Sequence, residues 1–429
     1  MSTVLNEERE LRVSQMAEQL VGSEIIKLAG EVKSLIAQGA TIHNFTIGDF
    51  DSSIFPIPTR LKEEIITAYQ EGHTNYPASN GIEELRVAIS AFIEKNQGLS
   101  YSADEFLVSG GARPLIYATY QALVDPDDKV IFPVPSWNNN HYTHLTNAQK
   151  VMIDALPENN FMPVAEDLKA HIQDAALIAL CSPLNPTGTV FSREQLEDIV
   201  ALVLEENKRR GPDQKPLYLM YDQIYWQLTY GVEHVDPVSI DPAMRPYTVY
   251  IDGISKVYAA TGVRVGWAFG PKKIMDKMKA ILGHIGAWSP KAEQVATSRF
   301  LGMDNETSSF LSTIKEEIRF RLDGLYTGLK GLKEAGFNVN VIPPQAALYL
   351  TLQIDLIGAT TASGQRIEKT EDITSYILNE AGIALVPFYA FGTPRSSTWY
   401  RLSVGTCQRD SIDTVIAKLR TALESLSYE

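Results

Sequence analysis

The residues best suited to chemistry lie in one short stretch, residues 252–266, which reads DGISKVYAATGVRVG. Lys256 sits there among Ile254, Val257 and Ala259, and Arg264 follows eight positions on, between Val263 and Val265. A lysine among apolar neighbours is partly desolvated, which lowers its pKa and makes a neutral amine available. A neutral amine is what a Schiff base with an aldehyde requires. An arginine close by can hold an anionic group as a bidentate pair. A Ser-Lys pair in a glycine-rich turn can equally be only a turn. The elements around it have to decide.

Seven short β-type runs begin near Phe106, Val130, Val151, Ala176, Leu217, Thr248 and Arg264, each bounded by turn residues. Helical stretches separate several of them, notably residues 113–123 and 193–208. The second opens on a Ser192-x-x-Gln195 capping box and carries Leu196, Ile199, Val200 and Val203 along one face. Strands alternating with helices predict an α/β fold with a mainly parallel sheet, whose ligands gather at the carboxyl ends of the strands.

Those ends are rich in polar groups. Gly110-Gly111-Ala112-Arg113 follows the first run, with Pro114 just inside the next helix. That arrangement lets backbone N–H groups face an anion. PVPSWNNNH places Trp137 in a loop, where it is either a packed lid or a platform for a ring. SPLNPTG presents Asn185, and Asp222 ends a hydrophobic strand ahead of Tyr225. Such an aspartate is a cap or a buried, partnered charge. Outside this region, residues 1–45 read as one or two amphipathic helices ending at Gly39, with Leu20, Ile25, Leu28, Val32, Leu35 and Ile36 at helical spacing. A long loop, GDFDSSIFPIP, begins at Gly48, and Tyr76 stands in the loop GHTNYPASNG without a local apolar face.

With 429 residues the chain exceeds one ordinary core, so two domains are expected. A charge of −14 argues against nucleic acid and anionic lipid, and no apolar run approaches a membrane span. Two cysteines and no secretory leader suggest a reducing, cytoplasmic setting. The seven histidines show no metal-ligand spacing, and His141-x-x-His144, in an Asn-rich loop, reads as solvated.

Taken together, the chain from about Met16 onward resembles the class I/II aminotransferases, the fold-type I pyridoxal phosphate enzymes related to aspartate aminotransferase. GISKVYAATGVRVG matches that family's lysine signature at Gly253, Ser255, Lys256, Gly262, Arg264 and Gly266, and SPLNPTG and YDQIY match in the expected order. The resemblance implies pyridoxal 5'-phosphate on Lys256, which is also the base that moves the substrate proton. It implies Asp222 at the pyridine nitrogen, Tyr225 and Asn185 at the phenolate oxygen, and Trp137 on the ring face. Arg264, Ser255 and the backbone of Gly111, Ala112 and Arg113 would hold the phosphate, with Tyr76 reaching it from the other subunit of a homodimer. Arg401, in WYRLSVG, and the Gly48 loop would receive the substrate carboxylate, beside Trp137 and Asn185. The implied plan is a large domain over 50–315, with a seven-stranded, mainly parallel sheet between helices. A smaller α+β domain would combine 1–49 with 316–429, entered through a long helix over 316–333.

The family often has a cis bond before the proline at position 186. Three departures stand out: Gly253 where many relatives carry a phosphate-binding serine, Phe388 where many carry glycine, and His284-Ile285 where one subgroup has a distal-carboxylate arginine. Phe388 either narrows the substrate pocket or marks a shifted loop. Arg113 takes the place of another subgroup's distal-carboxylate lysine and either reads a dicarboxylic substrate or meets solvent. The expected activity is transfer of an amino group between an L-amino acid and a 2-oxo acid, with aspartate or glutamate as donor. The alternatives are a lyase, racemase or decarboxylase on the same cofactor, or transfer from neutral or aromatic amino acids. A noncatalytic ligand sensor is the reading from another class; the short, acidic amino terminus opposes the DNA-binding part such a regulator needs.

Overall fold

The computed structural model describes residues 12–20, 22 and 24–428. The first eleven residues, part of the amino-terminal helices and small domain expected from the sequence, lie outside the described residues. Beyond them, Glu24–Ala37 (α1) is helical and stops just before Gly39, at φ 94°. Helix α2, Ala112–Leu123, follows the first strand of the main sheet, and α3, Arg193–Arg210, opens on the expected capping box. Ser192 Oγ accepts from Gln195 N at 3.1 Å, while Gln195 Oε1 accepts from Ser192 N at 3.0 Å.

The seven runs become Phe106–Ser109 (β1), Lys129–Val134 (β2), Gln149–Asp154 (β3), Ala175–Cys181 (β4), Tyr218–Asp222 (β5), Thr248–Gly253 (β6) and Gly266–Phe269 (β7). They form one sheet in the order β1-β7-β6-β5-β4-β2-β3. All its pairings are parallel except those of β7, which runs against both β6 and β1. Side-chain alternation sends Ile178, Leu180, Tyr221 and Tyr250 to one apolar layer and Leu177, Ala179, Val249 and Ile251 to the other. Burial on both faces explains why these strands read as continuous hydrophobic runs.

A third cluster is built on the helix Asp304–Glu334 (α4), which begins well before the stretch expected from the sequence. Its Ile314, Ile318, Leu322, Leu325 and Leu329 recur at helical spacing and are buried against Leu350, Leu352 and Leu402. These belong to a second sheet of Val339–Val341 (β8), Tyr349–Ile354 (β9), Val386–Pro387 (β10) and Trp399–Ser403 (β11), in the order β10-β11-β9-β8. His43–Asn44 pairs in parallel with Ile383–Ala384 as a separate two-stranded sheet, whose second strand stands just before β10 in the chain.

The reversal of β7 matters for the site. Because β7 is antiparallel, its start lies at the sheet edge where β4, β5 and β6 finish. Arg264, placed by the sequence at a strand start, instead precedes β7 in a left-handed conformation, φ 63°, and so reaches that same edge. The backbones there are in close contact. A Cβ on Gly266 would come within 2.5 Å of the Gly111 carbonyl carbon and 2.8 Å of Ala112 N. Gly266→Ala is therefore expected to cost about 1–3 kcal/mol of stability, read as a lower urea midpoint at unchanged m-value.

Candidate active site

A cavity of about 610 Å³ opens at the carboxyl edge of the main sheet, between it and the second sheet. Lys256, Asp222, Tyr225, Asn185, Arg264 and Arg401 line it, brought from separate elements. Ser255, Ala112, Arg113, Trp137 and Gly48 also reach its walls. Gly111 lies behind Arg264, and Tyr76 points away from the cavity, 82% exposed and edge-on to Trp288 at 5.1 Å.

Lys256 occupies a single helical turn, Ile254–Val257, directly after β6. Its Nζ donates to the carbonyl of Gly48 at 2.6 Å. Burial pushes the amine down to about 8. The Asp49 carboxylate opposes that shift, and the guanidiniums of Arg401, Arg113 and Arg264 add to it. Asp222, the last residue of β5, accepts from Ile224 N at 3.1 Å and has no ion pair among the described residues. Burial pushes its carboxyl up to about 6, and the Ile224 N–H and the Lys256 charge pull it back.

Arg401, at the centre of β11, is 1% exposed. It donates from Nη1 to Asn185 Oδ1 at 3.1 Å and from Nη2 to the Thr46 carbonyl at 2.7 Å, and its guanidinium lies 4.9 Å from the Tyr349 ring. Its Nε is buried without a partner. A buried cation with two neutral acceptors and a spare donor is short of an anion. Gly48 stands against it: a Cβ there would meet Tyr349 Oη at 3.0 Å and Arg401 Nη1 at 3.3 Å. Asn185 is oriented by this arginine. The bond before Pro186, expected to be cis, is not; the cis bonds precede Pro135 and Pro183.

On the opposite wall, Gly111 (φ 101°) leads into α2. Arg264 lies where a Gly111 Cβ would project, donating from Nη1 to Thr261 O and from Nη2 to Gly110 O, both at 2.6 Å. Helix amides, a guanidinium and the Ser255 hydroxyl make a cradle suited to a phosphate group. No serine would fit easily at 253, because a Cβ there would stand 2.8 Å from Gly266 Cα. The arginine of Arg113 is exposed and stacks 5.2 Å above Trp137. Trp137 in turn packs 6.2 Å from Phe391.

Several contributors escaped the sequence reading. Tyr349 Oη lies 2.7 Å from Tyr225 Oη, Thr261 Oγ1 donates to Asp49 Oδ1 at 2.7 Å, and Ile25 and Ala29 of α1 close one side of the cavity. Asp49 was adjacent to a chosen residue; Tyr349 sat in an ordinary-looking core strand. Phe388 does not narrow the cavity, whose walls do not include it. It is fully buried against Phe161 at 5.2 Å. His141 and His144 are on a helix, Asn139–Leu145, not in a solvated loop, and His144 Nε2 contacts the Met16 carbonyl at 2.8 Å. His284 and Ile285 are exposed at the end of the helix Lys272–Ile285 and do not line the cavity.

The sequence matches the family Aminotransferase class I and II over residues 40–419. The chain belongs to that family. It is 29% identical to the aspartate aminotransferase of Rhizobium meliloti (strain 1021), over 94% of this chain and 93% of that one. A crystal structure of the aspartate aminotransferase from Rhizobium meliloti superimposes with a TM-score of 0.88 at 27% identity, covering 97% of this chain and all of the other. The aspartate aminotransferase from Thermus thermophilus, solved with maleate, superimposes at 0.85 with 26% identity, over 96% of this chain and all of its own. The protein is thus a pyridoxal-phosphate-dependent aminotransferase with the fold of the aspartate enzymes. No described helix is long and apolar enough to cross a membrane.

The lowered Lys256 amine has a direct consequence in protein stripped of cofactor. Its labelling by an amine-selective reagent, followed by peptide mapping, is expected to rise with a midpoint near pH 8, where an ordinary lysine stays protonated up to about 10.5.

Proposed function

We propose that this cavity moves the amino group of an acidic L-amino acid, aspartate or glutamate, to a 2-oxo acid, with pyridoxal 5'-phosphate carried on Lys256. The observation that carries the reading is Arg401: a fully buried cation with an unused Nε, at the wall of the cavity that also holds a neutralisable amine. The residues suit the cofactor. The glycine cradle with Arg264 and Ser255 matches a phosphate, and Asp222 is a buried carboxyl without a cationic partner. When bound, the cofactor supplies an electron-poor ring that takes up the charge left when the substrate Cα–H bond breaks.

The chain's own groups do the remaining work. Arg401 holds the substrate α-carboxylate as a fork, against the Gly48 backbone. The Lys256 amine, neutral for a large fraction of the time near pH 8, takes the proton from Cα and returns it one position along at C4′. Asp222 would hold the ring nitrogen protonated, and the resulting ion pair would keep the carboxyl charged where burial alone raises its pKa. Tyr225 and Asn185 would hydrogen-bond the ring oxygen, and Trp137 would cover the ring face. Tyr76 reaches the phosphate from a second copy of the chain, which its outward position in a single chain allows. Division into a large unit, 50–315, and a small one, 1–49 with 316–429, is supported by the separate apolar cluster around α4 and the second sheet.

Arg113 recognises the distal carboxylate in this reading. It is exposed at the cavity wall, and its guanidinium stacks on Trp137 with no carboxylate bound to it among the described residues. The names of the relatives and the maleate of the Thermus thermophilus structure support an acidic substrate.

The experiment is a panel of amino acids mixed with the purified protein, following conversion of its visible absorption band. Aspartate and glutamate are expected to convert it fastest, and Lys256→Ala to abolish turnover. Arg113→Ala is expected to reduce the preference for aspartate over alanine about tenfold, the worth of one charge-assisted hydrogen bond. An unchanged preference removes Arg113 as the reader of the distal carboxylate, and a wild type that alanine converts as fast as aspartate and glutamate removes the acidic-donor assignment. Keto acid formed in many equivalents per enzyme without any 2-oxo acid acceptor points to elimination, whereas the first half of a transfer releases only one.

A further inference from the structure

Directly before the Lys256 turn stands a second carboxyl to which no role has been given. Asp252 is 1% exposed, near the end of β6. Its Oδ1 accepts from Gly253 N at 2.7 Å, and its Oδ2 accepts from the indole Nε1 of Trp226 at 2.9 Å. It makes no salt bridge among the described residues.

The two donors belong to the two segments that matter most. Trp226 follows Tyr225 in the chain, and Gly253 is the residue from which the Lys256 turn begins. Trp226 is itself fixed by ring contacts with Phe92 and His234, at centroid distances of 6.1 and 6.2 Å. The Gly253 backbone is wedged against Gly266. One carboxyl therefore spans from the strand end carrying Asp222 and Tyr225 to the one carrying Lys256. In register, Asp222 lies opposite Ile251, so the two carboxyls are one residue apart on neighbouring strands.

We propose that Asp252 is a positioning residue of the transamination, joining the Tyr225 segment to the Lys256 segment and leaving Asp222 the sole anion of that pair of strand ends. The proposal rests on the functional reading above.

The electrostatics run the same way. An unpaired carboxylate in a dry interior takes up a proton to escape the cost of burial. Burial pushes Asp252 up to about 8, and the nearby Asp222 charge adds to this, while the hydrogen bonds from Gly253, Trp226 and Gln223 oppose it. The other titratable groups facing this region are Tyr258, whose phenol feels the Asp252 charge, and His234, whose Nε2 lies 3.4 Å from Gln223 Oε1. Gln223 is paired in turn with Gln97, at 3.0 and 3.2 Å. Neither supplies a fixed positive charge, because burial holds His234 down to about 4. Asp252 is thus a neutral acid at pH 7. Above pH 8 it becomes a second negative charge next to Asp222, and nearby protons are held more tightly.

The test compares wild type with Asp252→Asn, Asp252→Ala and Trp226→Phe. In cofactor-free protein the folded acid binds a proton that the unfolded chain has released between about pH 4 and 8, so wild-type stability falls with pH in that window. The urea midpoint of Asp252→Asn is expected to climb relative to wild type from pH 5 to 8 and then level off. In loaded enzyme, the pH titration of the visible band is expected to lose its component above pH 8 in Asp252→Asn and to shift it upward in Trp226→Phe. Turnover at pH 7 is expected to survive in Asp252→Asn and to fall about tenfold in Asp252→Ala, with KM little changed. A flat stability difference over pH 5–9, or a wild-type band titration in both Asp252→Asn and Trp226→Phe, overturns the proposal. If wild type itself does not transaminate, the functional reading fails instead, and the urea comparison still reports on Asp252.

Discussion

The site depends on keeping one amine short of protons. Lys256 is half-buried at the cavity wall, and three of the groups that bear on it, Arg401, Arg113 and Arg264, are guanidiniums that repel a further positive charge. A neutral lysine is costly to arrange, since the group is ordinarily protonated by several orders of magnitude at neutral pH. Here the cost is spread over the fold. Arg401 is delivered by the second sheet, Arg264 by the left-handed turn before β7, and Arg113 by the start of α2. The cations that add to the effect of burial on the lysine are, in the proposed reading, also those that suit the phosphate and carboxylates of the ligands. A single set of charges therefore serves activation and binding together, and no member can be neutralised without disturbing both.

That economy explains why glycine recurs at the sheet edge. Three cationic side chains and a helix start can only converge if the backbones carrying them come close. Gly111, Gly253 and Gly266 are where they touch, and at each a Cβ would intrude on its neighbour. Gly111 also adopts a positive φ, so it is constrained twice over. A serine at 253 is opposed by the same crowding.

Much of this was visible in the chain itself. The central strands of the main sheet were marked by apolar runs between turn residues, because a sheet buried on both faces leaves little room for polar residues, whereas the edge strand β3 (QKVMID) is largely exposed. The polar residues ending those runs were visible for the same reason: Asp222 and Asn185 interrupt hydrophobic or rigid surroundings and need a partner. Direction was not legible. Nothing in GWAF tells that β7 runs backward, yet that reversal brings Arg264 to the ligand edge. Contacts between distant segments were hidden as well. Tyr349 reads as one more residue of a core strand, and only folding places its hydroxyl 2.7 Å from that of Tyr225. Phe388 shows the converse error, where a departure from the family pattern suggested a pocket residue and packing made it core.

The division between what the family fixes and what it leaves open follows the same geometry. In the proposed reading, residues on the main sheet's edge serve the cofactor and the groups that all amino-acid substrates share. The distal end of the substrate is then left to Arg113, whose guanidinium is exposed and rests on Trp137 at 5.2 Å. A stacked, exposed arginine is displaced more readily than one buried like Arg401, and it gives more of its charge to a ligand than to the protein. Asp49 works against it, as a carboxylate on the wall of the same cavity, though its Oδ1 is already engaged by Thr261. With that oxygen occupied, the wall it offers to an anionic substrate is less repulsive than its charge alone implies. In this reading donor choice turns on a few side chains at the mouth, while the chemistry of the amine is set mainly by its burial behind them.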